Sequence, residues 1–193
     1  NITTIVGGNG DAEEVEKRIE ALKIELEQSD SIHECEKIQE RITRLASGVA
    51  IIHVGGATEV EMVEGVEYEK GYAHANLITN KEKNTVELDN TLVLIMESKV
   101  DSIRQIQPVL EYIIKGNKSL LIIGEIDTPV LSALVMNKMK GNIKVNVIDP
   151  PAYGLRRREI LNDLALLTKS TIINEDLGDD LNTIQITRFP SIL

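Results

Sequence analysis

Thr91-Leu92-Val93-Leu94-Ile95-Met96 is a continuous apolar run, and Leu120-Leu121-Ile122-Ile123 is a second one about thirty residues later. A short run of this kind, without polar alternation, reads as a strand buried on both faces. Lys144 to Ile148 and Thr171 to Ile173 repeat the strand pattern. Between these runs the apolar spacing lengthens to that of helices over Ser102 to Lys115, Val130 to Lys140 and Leu155 to Lys169. Strands alternating with helices of ten to fifteen residues predict an α/β or mixed domain, its sheet covered by helices.

Working toward the N-terminus, residues 64–90 lack long helical periodicity and read as hairpins and extended segments. Val49-Ala50-Ile51-Ile52-His53-Val54, bounded by Gly55-Gly56, is a further buried strand. Before it come two helices. Val15, Ile19, Leu22 and Leu26 recur at intervals of four, three and four, which puts them on one helical face. Asp11 with Glu14, and Ser31 with Glu34, are capping patterns that place a helix start near each. The second helix carries Ile32, Cys35, Ile38, Ile42 and Leu45 inward and ends near Ser47-Gly48. The connection from Gln28 to Asp30 is short enough to force an antiparallel hairpin.

The 193 residues suit one domain: a glycine turn and acidic hairpin over 1–48, a strand leading out over 49–62, and a main body over 63–193. Residues 1–62 hold 13 acids and 6 bases, a net of −7 within the −10 of the whole chain. That balance argues against phosphate-backbone contact, so no nucleic acid is expected as a partner. With one Phe, four Tyr and no Trp, the core is built from Ile, Leu, Val and Ala. One cysteine excludes an intrachain disulfide framework and a multi-cysteine zinc site. No apolar run approaches the roughly 20 residues that span a bilayer, and no membrane partner is expected. The chain begins at Asn1 without Met and reads as cut from something longer.

Thr3-Thr4-Ile5-Val6-Gly7-Gly8-Asn9-Gly10-Asp11 runs strand, glycines, helix, where a phosphate loop sits in nucleotide-binding enzymes. A third glycine is missing at Glu13, no Gly-Lys-Ser/Thr follows, and Glu13, Glu14 and Glu16 repel phosphate from the helix start. The stretch reads as a turn feeding a capped helix. His33, Glu34 and Cys35 diverge by about 100° per residue around a helix and cannot converge on one metal ion. Arg156-Arg157-Arg158 opens a helix at its positive end, so these cations are expected to have fixed acidic partners. In Ile103 to Leu110 and in Val130 to Met139, apolar residues cover more than one face. The surplus is either buried elsewhere in the domain or lines a groove suited to apolar segments of other proteins.

Several segments together resemble the apical domain of the type I chaperonins, the GroEL-like sixty-kilodalton heat-shock family. They are Val63-Glu64-Gly65 with Glu69-Lys70-Gly71-Tyr72, then Val86-Glu87-Leu88, Pro108-Val109-Leu110-Glu111, Leu120 to Glu125, Leu134-Val135-Met136-Asn137 and Arg156 to Thr168. Glu36 to Arg41 and Ser47 to Met62 resemble another distinctive stretch, and the likeness covers nearly all the chain. In the family the segment like 63–193 precedes the segment like 1–62. The order here is circularly shifted, by a permutation or by two pieces of one domain joined in reverse. Leu26 to Ser31 leans toward the plastid branch, which implies a plastid-type organelle, with the mitochondrial matrix and the bacterial cytoplasm as alternatives.

The resemblance implies a GroEL-like apical fold and a chaperone module that binds non-native polypeptides and a GroES-like co-chaperonin. In the family, ATP and Mg serve a separate equatorial domain of a homo- or hetero-oligomeric ring, so this fragment is expected to be no enzyme and to need no cofactor. Carried over position by position, the polypeptide-binding residues fall on Tyr72, His74, Asn76 and Leu77, on Gln107 and Leu110, and on Leu131, Val135 and Met136. Gly55 and Gly56 resemble the start of the hinge toward the intermediate domain. Asn76 and Gln107 stand where the family has an aromatic and a leucine, and His74 replaces a small hydroxyl residue. Pro129, with a one-residue shortening between Glu125 and Leu131, alters the helix entry. Weaker or narrower client binding is therefore expected. The competing readings are a nucleotide-binding α/β enzyme domain and a scaffold apical domain with reduced client binding.

Overall fold

The computed structural model describes residues 3–6, 10–46, 51–52, 62–63, 65–68, 70–150, 154–181 and 191–192. Strand β1 (Thr3–Val6) leads to helix α1 (Ala12–Gln28), which starts where it does because the Asp11 carboxylate accepts the amides of Glu13 at 2.9 Å and Glu14 at 3.4 Å. Helix α2 (Ile32–Ala46) follows after a three-residue connection, with Ser31 Oγ accepting the Glu34 amide. Leu22, Ile38, Ile42 and Leu45 form the buried seam of the resulting hairpin, flanked by Val15, Ile19 and Leu26. Ile32 departs from the expected inward stripe and is 80% exposed. It stands in the first turn of α2, beside the connection, where α1 has already ended.

Two short antiparallel pairs come next. Strand β2 (Ile51–Ile52) pairs with β3 (Met62–Val63), and β4 (Gly65–Tyr68) pairs with β1, Thr3 facing Tyr68 and Val6 facing Gly65. The remainder of the strand expected over 49–54, and the hinge glycines Gly55 and Gly56, lie outside the described residues.

The body is the alternation anticipated: β5 (Thr91–Met96), α3 (Ile103–Gly116), β6 (Ser119–Ile123), α4 (Thr128–Met139), β7 (Lys144–Ile148), α5 (Leu155–Thr168) and β8 (Ile172–Ile173). The four strands are parallel in the order β7-β6-β5-β8, and β9 (Ser191–Ile192) pairs antiparallel with the first half of β5. The protein is thus mixed α/β. Both faces of the sheet are buried. Leu92, Leu94 and Met96 point to the face covered by Ile106, Val109 and Ile113 of α3 and by Val130, Leu134 and Val135 of α4. Val93 and Ile95 point to the other face, under Leu161 and Leu164 of α5 and Ile5 of β1. Among the described residues no helix is long and apolar enough to cross a membrane.

The hairpin docks on the outer side of α5, where Leu167 joins its apolar seam. At the centre of the junction Arg41 makes a two-pronged contact with Asp163, Nε to Oδ2 at 2.7 Å and Nη2 to Oδ1 at 3.1 Å, while Nη1 reaches Glu159 at 2.9 Å. Arg18 adds a longer contact to Asp163 at 3.3 Å. Arg41 and Asp163 are each 7% exposed. Burial alone would lower the pKa of the guanidinium, but the hydrogen bond and charge of Asp163, with the charge of Glu159, outweigh it and raise it above its ordinary value. Of the three neighbouring arginines, Arg157 and Arg158 meet carboxylates, whereas exposed Arg156 meets a histidine. Arg157 donates to the Glu97 carbonyl at 2.8 Å and faces Glu125, Arg158 faces Glu97, and Arg156 lies 3.5 Å from a ring nitrogen of His33.

Gly10 completes the junction. Its amide donates to the Leu167 carbonyl at 3.1 Å, and a Cβ there would lie 2.4 Å from the Leu166 carbonyl oxygen. Gly10→Ala is therefore expected to destabilise the chain by about 1–3 kcal/mol through forced separation of backbones. Asp163→Ala leaves Arg41 buried without its partner, and a loss of about 3–5 kcal/mol in urea unfolding is expected. Arg41→Met combined with Asp163→Leu should recover most of that loss, since it removes the stranded charge.

Candidate functional site

The extended segment leaves the sheet edge at β7. Tyr72 forms an antiparallel bridge with Ile148, and the Ala73 amide donates to Val147 O at 2.7 Å. The chain then turns. His74 Nδ1 accepts the Asn76 amide at 3.1 Å, opening a 3-10 turn over Ala75–Leu77. An imidazole that accepts at Nδ1 carries its proton on Nε2. The turn is closed by the Leu77 amide to His74 O and the Ile78 amide to Ala75 O. Leu77 is 0% exposed and belongs to the core cluster, while its carbonyl accepts a hydrogen bond from Lys138 Nζ on α4. Partial burial lowers the pKa of this lysine from its ordinary value.

Helix α3 begins with a full capping box: Gln105 Oε1 accepts the Ser102 amide at 2.9 Å and Ser102 Oγ accepts from the first turn. Gln107 is exposed and its amide donates to Glu111 at 2.8 Å. Leu110 and, on α4, Leu131 are half-buried against the core, Val135 is 6% exposed, and Met136 is 56% exposed. Pro129 falls in the first turn of α4, where a missing amide costs little.

The nine residues carried over therefore separate into three groups. Tyr72, Leu110 and Leu131 rim the core; His74, Asn76, Gln107 and Met136 face solvent; Leu77 and Val135 are interior. Leu77 and Val135 hold the segment and α4 onto the sheet rather than presenting surface. Three apolar residues outside the carried-over set extend the exposed one: Met139 at 70%, Ile114 at 53% and Ile103 at 37%. Their spacing was visible. Ile103, Gln107, Leu110 and Ile114 step by four, three and four, as Met136 and Met139 step by three. The surplus apolar residues of both helices are thus divided between core and surface.

At the start of α1 backbone donors are taken up within the chain, while Gly7, Gly8 and Asn9 lie outside the described residues. The Gly10 amide is bonded to Leu167 O, and the amides of Glu13 and Glu14 are taken by Asp11. Strand order reverses between β5 and β8, and ligands of such sheets bind beyond the carboxyl ends of the strands at that point. Here Asn174 donates to Glu97 at 2.9 Å, Glu175 donates its amide to Ser98 Oγ, and Gln105 reaches the Glu175 carboxylate. The Glu97 end of that crevice also holds Arg157 and Arg158, which contact Glu97. On the α5 side a cleft of 510 Å³ lies between the hairpin and α5, walled by charges such as Glu25, Lys37, Arg44 and Arg156. Lys37 and Arg44 both pair with Glu40, whose pKa is lowered, first by the Lys37 hydrogen bond and then by the Arg44 charge against the opposing effect of burial. No family model matches the chain.

Burial separates the carried-over residues energetically. Leu77→Ala is expected to cost about 2–5 kcal/mol in denaturant unfolding, whereas Met136→Ala should stay within about 0.5 kcal/mol.

Proposed function

We propose that this chain is a polypeptide-binding module, the apical domain of a GroEL-like type I chaperonin, which takes non-native polypeptides and a GroES-like co-chaperonin loop on α3 and α4. What supports the reading most is the exposure of Met136 and Met139 on α4, which also carries half-buried Leu131, together with Ile103, Leu110 and Ile114 on α3, the helix that covers the same face of the sheet. Leu and Met side chains adapt to partners of varied shape, which suits a surface that holds many sequences. Each side chain buried on a client contributes roughly 1.5–3 kcal/mol before ordering costs, so a single module binds weakly and a ring multiplies the effect. ATP hydrolysis belongs to a separate domain of such a ring.

A second reading, a scaffold apical domain with reduced client binding, is favoured by a specific observation. Two of the carried-over apolar residues, Leu77 and Val135, are buried, and Gln107 is engaged by Glu111.

Titration of a fluorescent denatured client, and separately of a co-chaperonin loop peptide, against the chain decides between them. Affinity on the order of micromolar, little changed by salt and reduced at least about tenfold by Met139→Glu and by Leu131→Glu, is the expected outcome. Met139 is exposed, so its substitution leaves folding intact where Leu131→Glu endangers it. If the wild type takes up neither peptide, the polypeptide-binding reading fails and the scaffold reading stands.

A further inference from the structure

We infer that Lys138 is a positioning residue of this surface: its ammonium latches the turn that carries His74 and Asn76 onto α4. Its bearing on client capture rests on the function proposed above; the latch itself does not.

Between Ala73, which is bonded to β7, and the Thr79 to Thr85 pairing, the segment makes no other described backbone bond to the rest of the domain. Its own bonds, Leu77 N to His74 O and Ile78 N to Ala75 O, shape the turn but do not attach it. Attachment comes from two features of one residue. The Leu77 side chain enters the core, and the Leu77 carbonyl accepts from Lys138. His74, Ala75 and Asn76 are all exposed. A charged donor to a carbonyl is the stronger kind of hydrogen bond, and here it is partly shielded from water. Lysine suits the position because its four-carbon stem spans from the α4 backbone to the turn and its three donors need only one acceptor.

A surface that is already ordered loses less freedom when a partner docks, so the latch raises affinity without touching the client. The geometry also gives Lys138 a place that neither helix periodicity nor the family-like positions on α4 assign.

Amide hydrogen exchange on the intact chain tests this directly. In Lys138→Met, which keeps the apolar stem and removes the donor, the Leu77 and Ile78 amides should exchange about tenfold faster while β5 and β6 amides keep their protection. Lys138→Arg should restore most of it. Client-peptide affinity is expected to fall roughly tenfold in Lys138→Met and to recover in Lys138→Arg. Unchanged exchange at Leu77 and Ile78 overturns the latch. Faster exchange with unchanged affinity overturns the positioning role. Should Lys138→Met lose protection throughout the sheet, the comparison is made with Lys138→Leu, which also lacks a donor, and read in the same way. If the wild type binds no peptide, the proposed function fails and exchange alone still decides the latch.

Discussion

Strand β5 carries no polar side chain from Leu92 to Met96, and all six of its residues are buried. That one constraint organises the domain. Successive side chains of a strand point to opposite faces, so Leu92, Leu94 and Met96 require cover on one side and Val93 and Ile95 on the other. Crossovers through α3 and α4 supply the first layer, and the reversal to β8 brings α5 to the second. Gly124 serves the same requirement at the strand ends, since a Cβ there would lie 2.9 Å from Met96 Cβ.

The two sides are chemically unlike. The α5 side is held through charge: a buried guanidinium shared between Asp163 and Glu159, with Arg157 and Arg158 fixed to carboxylates and carbonyls. The α3 and α4 side is held mainly by apolar packing, with the Lys138 contact to Leu77 O beside it, and leaves Met and Ile side chains over. A charged junction needs exact geometry and fixes one arrangement. An aliphatic surface with flexible methionines tolerates many. The division places rigidity where the hairpin attaches and adaptability where a partner would dock.

The strands and helices of the body were legible in the sequence, because continuous apolar runs and capping patterns are local signals. Thr91–Met96 and Lys144–Ile148 agree with their reading residue for residue, and the helix expected after Asp11 begins at Ala12. What could not be read was which partner a side chain finds. Arg41 looks like any charge on an acidic helix, yet it is buried because Asp163 waits 122 positions away. Leu77 sits in a polar stretch of turns, and its neighbours give no hint that it alone enters the core. Val135 and Met136 are adjacent and both apolar, but a turn of about 100° sends one inward and the other to solvent. Lys138 was silent for the same reason: its acceptor is a backbone carbonyl 61 residues earlier.

Those separations also imply an order of events. The unit from Thr91 to Ile148 pairs each strand with the next one along the chain, and the hairpin closes on itself through a three-residue connection. Both can form early, since short loops cost little entropy to close. The meeting of Arg41 with Asp163 spans most of the chain and needs both parts already shaped. A contact of that sequence separation closes a long loop, so its entropic cost is higher than that of the neighbouring strand pairs or of the hairpin.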